Sequence, residues 1–423
     1  MKKLFLSTLL ISSVVLALAP VPAPKQQKEV VYHNATVHIG NGKVMKGATL
    51  AFSEGKITRL GYFKMKWQPT DIDLKGKHIY PGFILPVTRI GLTEVDAVKA
   101  TIDDVEVGQM NPNVRSIVAY NTDSEIIPTL KFNGVLLAQP TPRGGLVSGL
   151  SSIVQLDAWN WQDAAIVSDD AVHVNWPSAM RPKFDMATFT LKTVKNKKYH
   201  HQLEQIKSLF IDAKLNATQA KNIKLDAIKP VYTGKRKVYI HANKPKAIIE
   251  AVNYFNKIGV PSLVLVTGQG VLPVLDFVKQ SGIAVIVANA HQLPQREDSS
   301  VDAGYTTALK LQKAGILTAL AYQGGMTMGS RNLAFTAGTL ASYGMDKEQA
   351  LQLITSNTAK ILGIDKNYGT LEVGKSATLF VSQGDALDMK GNRLIDAYVD
   401  GRKLNLAGRQ QELNQRYLKK YGK

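Results

Sequence analysis

The chain contains no cysteine in its 423 residues. That absence excludes disulfides, thiolate nucleophiles, cysteine-ligated zinc and a lipid-modified cysteine behind a leader. It also lacks any repeat in the range of roughly 20 to 50 residues, and any low-complexity tract, which excludes repeat architectures. Beyond the N-terminus no apolar run is long enough for a membrane span, which takes roughly 20 residues. The one near candidate, over residues 263–290, is broken by Gln269, Asp276, Lys279 and Gln280. It reads as the interior of a folded domain. Acidic residues are scarce beside basic ones, 33 against 52, for a formal net charge of +19. Such a surplus favours anionic partners in general. Here it concentrates over residues 192–246, where basic residues alternate with Leu203, Ile206 and Phe210 as on an amphipathic helix. We read a solvated basic surface and expect no nucleic-acid partner.

What is present begins with a leader. Lys2 and Lys3 precede an apolar stretch over residues 4–19, followed by prolines and small residues. Cleavage after Ala19 would set Pro20 at the cut, whereas cleavage after Ala17 avoids it. The expectation is an exported, periplasmic protein with a signal peptide at 1–19 and no stable membrane span once it is removed. Residues 29–80 then read as short strands and turns, as do residues 366–408. Two β segments flanking one centre predict a composite β-sandwich domain. The centre, residues 81–365, alternates β-branched runs with helical stretches: strands at 238–241, 262–267, 283–288 and 316–321, and helices at 246–258 and 271–281. That rhythm predicts an α/β fold with a parallel sheet and crossover helices. Its length suits a TIM-like (β/α)8 barrel, which takes about 250 residues. Residues 409–423 read as a terminal helix.

Two motifs then carry a resemblance. Tyr80-Pro81-Gly82-Phe83-Ile84 leads into the centre. Near the other end, Ala350-Leu351, Ile354-Thr355, Asn357, Ala359-Lys360 and Leu362-Gly363 precede Gly369-Thr370-Leu371-Glu372 and Gly374-Lys375-Ser376-Ala377. Together these resemble the amidohydrolase superfamily, nearest its imidazolonepropionase-like branch, over residues 29–408. The resemblance implies a hydrolase of non-peptide C–N bonds. It also implies divalent metal held at the barrel's strand ends by His-x-His on strand 1, Lys or Glu on strand 4, His on strands 5 and 6 and Asp on strand 8. A cation with an open place for water needs such converging donors. This chain departs from that pattern. The implied positions hold Val87 and Arg89 on strand 1, Thr267 on strand 6 and Gln323 on strand 8. Only His241, in Tyr239-Ile240-His241-Ala242, matches. Strand 4 lies near His173 or Trp176. An Asp common after Ala377 is Thr378.

The reading that follows is an amidohydrolase-like protein that has lost most metal ligands and binds a ligand or partner without catalysis. Its ligand-binding candidates are Arg89, Trp159, Trp161, His173, His241 and Gln323. Trp159 and Trp161 would form an aromatic wall at the mouth for a small-molecule or peptide-like ligand, and association with an active relative is a further expectation. No cofactor is expected, and zinc only if the site is rebuilt. The alternative is an active hydrolase of cyclic amides or small dipeptides using a rebuilt site around His241. Asp123, Asp157 and His291 are further candidates for it, as are the carboxylates Glu94, Asp96, Asp103, Asp104 and Glu106. The stretch over residues 140–149, Pro140-Thr141-Pro142-Arg143-Gly144-Gly145-Leu146-Val147-Ser148-Gly149, reads as a turn-rich loop that could cradle an anion, with Arg143 supplying charge. Residues 324–329 read as a flexible loop over the same mouth.

Overall fold

The computed structural model describes residues 22–64, 66–215, 221–323 and 325–422. The leader expected at 1–19 lies outside the described residues.

Eight strands form the central sheet: Phe83–Thr88, Val135–Pro140, Val147–Gln155, Ala165–Asn175, Lys237–His241, Leu263–Thr267, Ala284–Val287 and Thr318–Leu320. They lie side by side in chain order, and we number them one to eight. Strands four to eight pair in parallel. Between them run helices such as Tyr199–Leu215, Pro245–Lys257, Leu275–Ser281 and Ala303–Lys313. Each buries an apolar stripe against the sheet; on Tyr199–Leu215 it is Leu203, Ile206 and Phe210. The inward-facing set Ile84, Leu137, Ile153, Ala171, Tyr239, Val264, Ile286 and Ala319 packs into a filled barrel interior.

Strands one and eight do not pair directly. The gap is bridged by Gln323, whose Nε2 donates to the Val87 carbonyl at 3.2 Å. It is bridged as well by the segment before the helix Ser356–Leu362, where the Leu353 and Ile354 carbonyls accept from Leu320 N and Ile84 N.

The structure corrects the all-parallel expectation at strand three, which runs antiparallel to both neighbours. Strand two ends at Pro140 and strand three begins at Val147. Six intervening residues cannot hold a crossover helix, which needs about a dozen or more, so the chain must turn back.

The flanking segments pair into one eight-stranded sheet joining the strands over residues 30–81 with those over residues 379–403. Tyr32, Leu50, Phe52, Ile79, Leu379 and Tyr398 pack together as its apolar core. The basic stretch expected to be helical divides. Lys192 and Lys195 belong to a separate hairpin, Met180–Asp185 with Thr190–Lys195, and the helix starts only at Tyr199. The terminal helix Arg409–Lys420 buries none of its residues. Among the described residues no helix is long and apolar enough to cross a membrane.

Candidate functional site

The C-terminal ends of the parallel strands open onto a cavity of 620 Å³, where this architecture places its sites. Arg89, Arg143, Asn175, His241, Tyr322 and Gln323 supply much of its polar lining, and no carboxylate lines it among the described residues.

One imidazole, His241, lines the cavity, and a second, His173, lies buried behind it. His173 Nδ1 and His241 Nε2 lie 2.9 Å apart on adjacent strands. His173 is wholly buried, and its Nε2 has no hydrogen-bond partner. Burial pulls the His241 imidazole down to about 4. Burial, with the facing His241 ring adding to it, holds His173 well below its ordinary 6.5. Both rings are therefore neutral at pH 7, one donating to the other. Deeper along strand four, Asp170 accepts from Ser151 Oγ at 2.7 Å and Gln139 Nε2 at 2.8 Å, and its burial raises that carboxyl.

Strand one contributes a strained turn and a fixed cation. Val87 has φ +49, a conformation costly for a β-branched residue. It is held by its N–H on Gln139 Oε1 and its carbonyl under Gln323. Arg89 Nε donates to Asp104 Oδ2 and its Nη1 to Asp96 Oδ1, each at 2.5 Å. The Asp104 side chain is fully buried and also accepts from Arg143 Nε at 2.8 Å. Asp96 accepts from the Thr327 amide and hydroxyl. Burial alone would raise the Asp96 carboxyl, but the Thr327 bonds and the Arg89 guanidinium outweigh it and lower it. This network ties together the loops after strands one, two and eight.

The second loop has its own support. Asn175 Nδ2 donates to the Gly144 and Gly145 carbonyls and to Ser148 Oγ. Gly145 has φ +62, and a Cβ there would fall 2.8 Å from the Gln109 carbonyl, so glycine is required.

Other candidates are placed elsewhere. Thr267 is buried with its hydroxyl on Asn243 Oδ1 at 3.3 Å, and it does not line the cavity. Trp159 and Trp161 follow strand three, which descends from Val147, beside Val174, to Val154, beside Ala165. They therefore stand at the barrel's opposite end, and the aromatic wall expected at the mouth does not form. The cause is the reversed strand. Asp157 shares that end, where it binds Lys131 and Arg402. His291 bonds Thr339 Oγ1 in a separate cleft with Lys347 and Asp385. Asp123 does not line the cavity either. Asn175 went unnoticed in the sequence, although it lies two residues beyond His173, on the same face of a strand.

A divalent cation needs several deprotonated donors converging on one point. The mouth offers one imidazole, whose Nε2 is bonded to the buried His173, a guanidinium already between carboxylates, and a carboxamide donating to a carbonyl. Among the described residues no three His, Asp or Glu side chains form a metal-holding group. Two guanidiniums, Arg89 and Arg143, reach the cavity wall.

Comparison with known proteins places this geometry. A profile described as Amidohydrolase family matches residues 190–404. No curated protein matches. Among solved structures, an amidohydrolase from Thermotoga maritima MSB8 is similar at 22% identity with TM-score 0.77, covering 89% of this chain and 99% of that one. A prolidase complexed with N-methylphosphonate-L-proline is similar at 14% identity with TM-score 0.55, covering 89% and 100%. Phenylurea hydrolase B is similar at 12% with TM-score 0.56, covering 90% and 97%. These likenesses concern the fold.

Proposed function

The chain belongs to the amidohydrolase family, and from that premise we propose that it is a non-catalytic member that binds a small or peptide-like ligand bearing an anionic group. One observation carries the reading: the cavity is lined by Arg89, Arg143, His241 and Gln323 and by no carboxylate among the described residues. A hydrolytic site needs a group to take a proton from water. Here His241, pulled down to about 4, is a poor base at neutral pH, and Gln323 is no base. Val87, Arg89, Thr267 and Gln323 are then metal-ligand positions occupied by other side chains. Arg89 and Arg143 would meet a carboxylate, and the Asn175-braced glycine turn would set its depth. The Lys2-Lys3 leader supports export to the periplasm.

The test has two arms. Purified protein exchanged against zinc and analysed by elemental mass spectrometry should carry no stoichiometric metal, and a panel of cyclic amides and dipeptides should show no turnover. N-acetylated amino acids should raise the melting temperature, their methyl amides should not, and Arg89→Met should abolish the response. Stoichiometric zinc at the mouth, or turnover that His241→Ala removes, would establish the rebuilt hydrolase instead.

A further inference from the structure

We infer that the hairpin over residues 180–195 is a docking tip for an anionic lipid surface. It leaves the barrel after strand four and forms a two-stranded sheet of its own. Such a ribbon is marginal in water without something to cover it. Its register sets Met180, Pro182 and Phe184 opposite Lys195, Thr193 and Leu191 on one face. Arg181 and Lys183 face Val194 and Lys192 on the other. At the turn Met186 is 71% exposed and Phe189 76%, and Leu191 just behind them is 72% exposed. Phe184 packs edge-on against Phe189 at 6.1 Å between ring centroids. Four large apolar side chains thus gather at one exposed tip, a grouping that marks an interaction site.

The charge around that tip selects the occupant. Residues 180–198 carry Arg181, Lys183, Lys192, Lys195, Lys197 and Lys198 against the single acid Asp185, a net 6 − 1 = +5. Lys183 stands directly opposite Lys192, a like-charge pair that is unfavourable unless an anion lies nearby. Asp185 relieves it only in part, by pairing with Lys192 at 2.5 Å. An apolar tip behind which basic side chains form a collar matches an anionic bilayer: the tip enters the acyl boundary while the lysines stay at the phosphates. Another copy's hairpin would bring a second charge of the same sign. A nucleic-acid backbone would satisfy the lysines and leave the apolar tip in water. The inference does not depend on what the barrel mouth binds.

Because the chain has no cysteine, Met186→Cys gives one attachment point for an environment-sensitive dye on the full chain. Vesicles of equal phosphatidylglycerol and phosphatidylcholine should blue-shift and brighten it, and pure phosphatidylcholine vesicles should not. Half-molar salt should reverse the effect. Lys183→Glu with Lys192→Glu should weaken it about tenfold or more, and Phe184→Ser with Phe189→Ser should do the same with the melting temperature unchanged. The same dye at Val373→Cys, on the flanking β region, should stay silent. No response to the anionic vesicles, or an equal response to neutral ones, would overturn the inference. So would a response that needs no vesicles and rises with protein concentration, which would assign the tip to self-association.

Discussion

Asp104 is the most exacting test of how the barrel mouth is held. Its side chain is fully buried, and its Oδ2 accepts from Arg89 and Arg143 while Oδ1 has no partner. Two unit charges about 4 Å apart attract by about 4 kcal/mol at an effective dielectric near 20. Breaking a buried pair by removing one member costs about 3–5 kcal/mol. Asp104→Asn should cost less, about 2–3 kcal/mol, because Arg89 keeps Asp96 and remains 18% exposed. Arg89→Met should cost a similar amount by stranding Asp104 with only the half-exposed Arg143. The double variant removes both sides of the pair, so it should lie about 2 kcal/mol closer to wild type than the sum of the singles. Urea unfolding of the four proteins, followed by tryptophan fluorescence at pH 7.5, measures that coupling. Additivity within about 0.5 kcal/mol would refute the reasoning. It would mean that the loops hold their shape by packing alone and that Arg89 is not fixed by its carboxylates.

Four further outcomes follow from the same geometry. Asn175→Ala removes the donor shared by Gly144 and Gly145, and should weaken binding of N-acetylated amino acids in calorimetry about tenfold while costing about 1–2 kcal/mol of stability. Trp159→Ser should leave that binding unchanged, since the residue stands at the opposite end of the barrel; a loss of affinity would place it at the mouth. Gly270→Ala sets a Cβ 2.0 Å from the Asn243 carbonyl, and chemical denaturation should show a loss of about 2–3 kcal/mol. His78 is held below its ordinary 6.5 by burial, with His38 adding to it. The unfolded chain therefore takes up a proton first as pH falls below 6.5, and stability present above that pH is lost. Melting curves from pH 7.5 to 5.5 should fall, and His78→Gln should flatten the slope.

Much of the fold was legible because it is local. From Lys237 onward the strands and the helix Pro245–Lys257 lie within about two residues of those read from the sequence, whereas the helix expected at 271–281 begins only at Leu275. Strand three was not legible from its pattern. Val147–Gln155 is buried on both faces, and such a run reads the same in either direction. Its polarity is set by the short connection before it, and that length could have been used. The hairpin was missed on its second strand, where Leu191 and Val194 lie three apart, as on a helix, amid the run of lysines. At the mouth, Arg89 and the acids Asp96 and Asp104 were visible as charges. Which acid meets which base depends on three loops closing together, and no local pattern encodes that. Trp159 and Trp161 failed for the same reason as strand three, since reversing one strand moves its following loop to the other end.

The position of Arg89 also explains what holds the loops of the mouth together. A guanidinium on a barrel strand beside a cavity is expensive to desolvate unless carboxylates meet it. Asp96 and Asp104 both lie in the loop after strand one, so that loop must fold back over its own strand to reach it. Once folded back, Asp104 has room for a second guanidinium and takes Arg143 from the loop after strand two. Asp96 has acceptors left and takes Thr327 from the loop after strand eight. One cation with two carboxylates therefore gathers segments from across the barrel rim, which a multivalent metal does through its ligands. A histidine at position 89 could not replace this, because a neutral ring would leave Asp104 without the charge that meets it there. Under the proposed function, the mouth is then built around its ion pairs, and the cavity they frame is shaped to receive a charge rather than to activate water.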